Sequence, residues 1–172
     1  KDLFGIISEE VDTFYPSDRN GIELTADLSD AVGVGSKCGD KWEVVDFAEI
    51  LRVQDAEVLG VYTDDFYQGT AALTCKNYGT GNAYYIAART STEAMVPLFK
   101  KMLDDAGVQV KELPDGVEFH ERVGEEGNYQ FYFNCNTTEA VVNGVKGVDL
   151  MTGESVDGEL KLEGYGVAVV RV

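Results

Sequence analysis

Apolar residues along the chain fall mainly into period-two or short continuous runs, at 42–53, 57–62, 71–75, 83–88, 118–123, 129–133 and 165–172. Successive side chains of an extended backbone point to opposite faces, so each run predicts a strand. Gly-rich turns lie between them, and Asn77-Tyr78-Gly79-Thr80-Gly81-Asn82 joins two runs in a hairpin-like connection. One segment has helical spacing instead: from Glu93, the residues Met95, Leu98, Phe99, Met102, Leu103 and Ala106 recur at three- and four-residue steps. Thr90 with Glu93 forms a candidate capping box, and Gly107 is placed to cap the C-terminus, so 91–107 reads as a helix lying on a sheet. Pro97 interrupts it, which predicts a late start or a kink.

Periodicity is lost at Glu112-Leu113-Pro114-Asp115-Gly116, a turn-forming sequence taken as the domain boundary. The expected units are 1–112 and 117–172. The second is wholly strand-like and, at 56 residues, buries little surface alone, so it is expected to be an antiparallel β domain packed on a larger neighbour. The first is expected to be α/β. A layered α/β domain needs helices on both sheet faces, yet 1–111 supplies one clear helix and the last turn of another at Asp2-Leu3-Phe4. The expectation is therefore an incomplete domain, or a sheet face covered by a partner chain.

Charge narrows the function classes. Of the 172 residues, 44% are hydrophobic and 26% charged, the balance of a globular chain, but 14 Lys and Arg face 31 Asp and Glu, a net charge of −17. Nucleic acids and anionic membrane surfaces select for clustered basic residues, so neither is an expected partner. The single His120 and the cysteines Cys38, Cys75 and Cys135 have no metal-ligand spacing; no metal and no cofactor are expected. An odd cysteine count without close pairs suits a reducing compartment. With no leader-like start and no apolar run near 20 residues, the chain reads as cytoplasmic, and the sequon at Asn136 as incidental.

Candidate chemistry is sparse. His120 sits in the alternating Phe119-His120-Glu121-Arg122-Val123, facing solvent among charges, and Cys75 lies among Ala, Leu and Thr as a small buried apolar residue. Gly33-Val34-Gly35-Ser36-Lys37-Cys38 begins like a dinucleotide loop, but Cys38 stands at the third glycine and no amphipathic helix follows. Asp64-Asp65 and Glu125-Glu126 are sequence neighbours, which point opposite ways on an extended chain and cannot flank one glycosidic bond. No catalytic residue is assigned. The rings Tyr62, Phe66, Tyr67, Tyr78, Tyr84 and Tyr85 cluster in sequence, and Tyr62, Phe66 and Tyr67 border a connection between strands, where small polar residues are usual; they are the candidate subunit-interface residues.

Three stretches then resemble one family: Ala56-Glu57-Val58-Leu59-Gly60-Val61-Tyr62, Phe66-Tyr67-Gln68-Gly69-Thr70-Ala71-Ala72 and Asn77-Tyr78-Gly79-Thr80-Gly81-Asn82-Ala83-Tyr84-Tyr85-Ile86-Ala87 look like the C-terminal half of the trimerisation domain of glycoside hydrolase family 42 β-galactosidases. The opening Phe4-Gly5-Ile6 and Asn20-Gly21 resemble the entry into that half. Further on, Tyr129-Gln130-Phe131-Tyr132-Phe133-Asn134-Cys135-Asn136, Val148-Asp149-Leu150-Met151-Thr152-Gly153 and Gly164-Tyr165-Gly166-Val167-Ala168-Val169 resemble the family's small C-terminal β domain.

The resemblance implies a class I glutamine-amidotransferase-like, flavodoxin-like sheet in 1–112, a homotrimer, and a retaining (β/α)₈ barrel before Lys1 that hydrolyses terminal β-D-galactosides with two Glu residues absent from this chain. Galactoside would be met only through that barrel. The segment 28–42 has no counterpart in the resemblance. Two other classes stay open: a carbohydrate-binding module stacking sugars on Tyr129, Tyr132 or Tyr165, and an amidotransferase-type enzyme, which needs a Cys beside a His.

Overall fold

The computed structural model describes residues 1–28 and 36–172, so the glycine loop at 33–35 lies outside the described residues. The chain divides into two compact units, Lys1–Val110 and Lys111–Val172.

The first unit is built on one antiparallel sheet. Strands β1 (Ile6–Thr13), β2 (Asn20–Leu24), β3 (Lys41–Val53), β4 (Glu57–Tyr62), β5 (Ala71–Tyr78) and β6 (Gly81–Ile86) run in the order β1-β3-β2-β4-β5-β6, and β7 (Ala88–Thr90) pairs with β3. Every pairing is antiparallel. This corrects the expectation of an α/β, flavodoxin-like, amidotransferase-like layer. Such a layer needs parallel strands linked by helical crossovers, whereas here the pairings are antiparallel and the described residues contain one helix, α1 (Thr92–Asp105). The turn at Asp2-Leu3-Phe4 closes with the Gly5 amide donating to the Lys1 carbonyl and leads into β1.

Helix α1 begins at Thr92 and runs through Pro97, so the predicted late start is not found. Proline removes the bond to the Glu93 carbonyl, but Pro97 and Leu98 are buried, and packing offsets one lost hydrogen bond. Its N-cap is Ser91, whose Oγ accepts from the Ala94 amide, in place of the Thr90 cap expected from sequence. At the other end Gly107 adopts φ +67° while its amide bonds the Asp104 carbonyl and the Val108 amide bonds the Leu103 carbonyl, a Schellman cap. Ala94 and Leu98 join Ile22, Leu24, Trp42, Val44, Tyr62, Tyr67 and Leu73 in the core.

The second unit is a five-stranded antiparallel sheet, ordered β11-β10-β12-β9-β8, of β8 (Val117–Gly124), β9 (Gly127–Asn134), β10 (Ala140–Asp149), β11 (Ser155–Leu162) and β12 (Val167–Arg171). One face carries the core of Val117, Tyr132, Val142, Val145, Leu160, Leu162, Ala168 and Val170. Strand β10 bulges between Asn143 and Val145, where Gly144 takes φ +73°. Gly147, at φ +147°, lets β12 approach so closely that a Cβ would overlap the Arg171 carbonyl.

Candidate functional site

The β4–β5 connection, residues 63–70, is held by its own backbone and by one residue from the start of β2. Buried Asn20 donates from Nδ2 to the Asp64 carbonyl and accepts at Oδ1 from the Asp64 amide, both at 3.0 Å. Within the loop the Gly69 amide bonds the Tyr62 carbonyl at 2.9 Å and Gln68 bonds Asp65 at 3.1 Å, with Asp65 at φ +68° and its carboxylate accepting from the Phe66 amide. Asp and Asn tolerate this left-handed backbone because their side chains bond locally. The loop is thus a fixed platform.

The three predicted interface rings are brought together on it but differ in exposure. Tyr62 is 1% exposed and Tyr67 2%, while Phe66 is 75% exposed. They form an edge-to-face series, Tyr62 to Tyr67 and Tyr67 to Phe66, each with centroids 4.9 Å apart. Tyr62 Oη donates to the Ala87 carbonyl at 2.8 Å and approaches the Glu49 carbonyl at 3.1 Å; Tyr67 Oη donates to Asp12 Oδ2 at 2.9 Å. Two rings are therefore anchors inside the unit, and Phe66 is the one presented outward. Sequence reasoning missed Tyr15, exposed in the β1–β2 turn, where its amide bonds Asp18 and Arg19 Nη1 donates to the Pro16 and Asp18 carbonyls. Asn20 ties that turn to the Phe66 loop; the Tyr-Pro-Ser-Asp turn signal was legible, but nothing local ranks Tyr15 above other exposed rings.

Elsewhere in the aromatic cluster Tyr78 is exposed, whereas Tyr84 and Tyr85 are held by hydrogen bonds. Tyr84 Oη and Asn82 Nδ2 donate to Asp105 at the end of α1, which Lys101 also pairs at 2.5 Å, and Tyr85 Oη donates to Glu49. Burial, reinforced by neighbouring acidic groups, pushes the Tyr67 and Tyr85 phenols up to about 12 and raises Tyr62 and Tyr84 as well. The native state then holds protons that unfolded tyrosines release near pH 10, so this stabilisation is complete below about pH 10 and falls as pH rises towards 12. Titration of phenolate absorbance should show Tyr62, Tyr67, Tyr84 and Tyr85 ionising above the range of a free tyrosine or only together with unfolding. Normal titration of all nine tyrosines in a chain still folded by circular dichroism would contradict this.

Cys75 is buried, which raises its thiol pKa and disfavours the nucleophilic thiolate, and it lies in the first unit, whereas His120 lies on β8 of the second. No group of metal-ligating side chains occurs among the described residues. Of the sugar-stacking candidates, Tyr132 is wholly buried, with Lys111 Nζ 4.8 Å from its ring centre; Tyr129 is half-buried, and Tyr165 is exposed in a turn. No helix among the described residues is long and apolar enough to cross a membrane.

Both units are antiparallel β structures, and the first presents a pinned aromatic loop. Residues 1–109 match the β-galactosidase trimerisation domain model and residues 116–172 the β-galactosidase C-terminal domain model; the chain belongs to the family 42 glycoside hydrolases. It is 34% identical to β-galactosidase Pbg of Clostridium perfringens over 99% of this chain, and 32% identical to β-galactosidase GalA of Bacillus licheniformis over 96% of it. Among solved structures, a β-galactosidase from Bacillus circulans sp. alkalophilus superposes with TM-score 0.87 at 29% identity over 98% of this chain. A catalytic variant of Gan42B, a GH42 β-galactosidase from G. stearothermophilus, does so at 0.84 and 32% over 99%. The chain spans only 25% and 23% of the two relatives and 24% of each of these structures.

Proposed function

We propose that this chain is the assembly region of a longer β-galactosidase, with 1–112 acting as part of its trimerisation domain and 117–172 as its C-terminal β domain. Copies join as a homotrimer, and terminal β-D-galactosides are hydrolysed by a retaining barrel on the same polypeptide that supplies both carboxylates. The observation that carries this reading is Phe66, three-quarters exposed on a loop whose every neighbouring turn is hydrogen-bonded in place. Rigid display of a large ring costs free energy unless a partner buries it, and aromatic residues mark interface cores. With −17 per copy, the contact requires apolar or locally paired surface, which Phe66 and Tyr15 supply. The three unpaired cysteines support a reducing, cytoplasmic setting.

Phe66→Asp in the full-length enzyme, followed by light scattering at low concentration, tests this. The expected result is a fall from trimer to monomer mass with the circular-dichroism spectrum of the folded chain retained. Retention of the trimer mass would remove this loop from the interface. The purified 172-residue chain is expected to turn over no chromogenic β-galactoside, and measurable hydrolysis would overturn the non-catalytic role.

A further inference from the structure

The outer face of the second sheet carries a depression of about 450 Å³ lined by Glu118, His120, Arg122, Phe131 and Phe133. Its origin is the register of β8 on β9: Glu118 pairs with Phe133, His120 with Phe131 and Arg122 with Tyr129, so three polar side chains of one strand stand beside three aromatic rings of the next. On each strand these residues are two positions apart, about 7 Å. Strand β8 is at the sheet edge, which leaves the polar row open on its outer side. The rings of Phe131 and Phe133 are half-buried, and His120 meets Phe133 edge-on with centroids 6.0 Å apart.

Each feature points to one ligand chemistry. A shallow, largely apolar depression with a few convergent polar groups is the usual form of a small-molecule site. Glu118 offers only acceptors, Arg122 only donors and His120 one of each when neutral, a combination suited to hydroxyl groups, which both donate and accept. Arg122 spends one donor on the Glu121 carbonyl at 2.8 Å and keeps the rest. The charges of Glu118 and Arg122 cancel, so in a chain of net charge −17 the lining of this depression is charge-balanced. A neutral ligand with an apolar face and a hydroxylated edge matches it, and a pyranose ring has that form. We propose that this face binds a neutral oligosaccharide, with the C–H faces of its sugar rings on Phe131 and Phe133 and its hydroxyls on Glu118, His120 and Arg122. The site is independent of the assembly role, and rests on that reading only in the choice of a galactose-based probe.

Titration of the 172-residue chain with β-1,4-linked galactotetraose, followed by backbone amide NMR shifts, tests the proposal. Saturable shifts confined to β8, β9 and their flanking turn are expected. The pair Glu118→Gln and Arg122→Ala, both exposed, should weaken binding at least about tenfold, a loss of about 1.4 kcal/mol, with the remaining spectrum unchanged. Phe131→Ala should abolish the shifts. An absence of saturable shifts, shifts centred elsewhere, or undiminished affinity in the exposed pair variant would overturn the site. The mass of the same samples is read separately: sugar binding without trimers would count against the assembly role alone, and trimers without sugar binding against this site alone.

Discussion

Truncating Tyr62 to Ala is expected to destabilise the first unit by about 3–5 kcal/mol, the range for removing a buried aromatic side chain. The ring is 1% exposed and packs on Tyr67, while its hydroxyl reaches the carbonyls of Ala87 and Glu49, two segments joined by the bond from the Glu49 amide to the Ala87 carbonyl. Tyr62→Phe keeps the ring and gives up the hydrogen bonds, for an expected loss of about 1–2 kcal/mol. Denaturant unfolding of the three proteins should rank them in that order. The comparison with Phe66→Asp matters for function: Tyr62→Ala should lower oligomer mass only in proportion to unfolding, whereas Phe66→Asp should lower it in a fully folded chain. If Tyr62→Ala dissociated copies without any loss of stability, the ring would belong to the interface and not to the core.

Asn134→Ala is expected to cost about 3 kcal/mol in the second unit. This side chain is 3% exposed and donates from Nδ2 to the carbonyls of Thr138, Leu162 and Glu163 at 2.8, 3.2 and 2.9 Å, while Oδ1 accepts from the Asn136 amide at 3.0 Å. One amide therefore fastens the end of β9 to the β9–β10 turn and to the end of β11. Each buried polar group left unpaired costs about 1–3 kcal/mol. A unit of 62 residues commands only about 3–9 kcal/mol in total, so the variant should unfold at or near room temperature. Asn134→Asp is nearly isosteric but sets an acceptor-only carboxylate against three carbonyl oxygens, and should be at least as destabilising at pH 7. Wild-type stability in Asn134→Asp would refute this account.

Strands with a clean apolar alternation were legible in the sequence: 57–62 coincides with β4, and β3, β8 and β9 differ from their runs by a few terminal residues. Five strands were not, the three-residue β7 among them. β1 reads Ile-Ile-Ser-Glu-Glu-Val-Asp-Thr and is largely exposed at the sheet edge, where pairing with β3 sets its conformation and burial does not. β2 has five residues, too short for a pattern. β10 and β11 carry glycines at 144, 147 and 158 with positive φ, which locally read as turns, yet here they form a bulge and a close strand approach. The α/β error has a related cause. A run buried throughout, such as Ala71–Cys75 of β5, suits a strand of either direction, and direction is set by which distant segment pairs with it.

The candidate site divides along the same line. That the loop after Tyr62 is aromatic, acidic and bounded by strands was determined by the sequence alone, as were the helix and its glycine cap, because these depend on residues within a turn or two of one another. Which ring faces solvent was decided by tertiary structure. Tyr67 is turned inward by Asp12, 55 positions away, and the loop is clamped by Asn20, 44 positions before Asp64. Those partners leave Phe66 alone outside. Local patterning encodes periodicity through covalent neighbours, but the exposure of a loop ring depends on hydrogen bonds closed across the chain, and no local pattern contains their other halves.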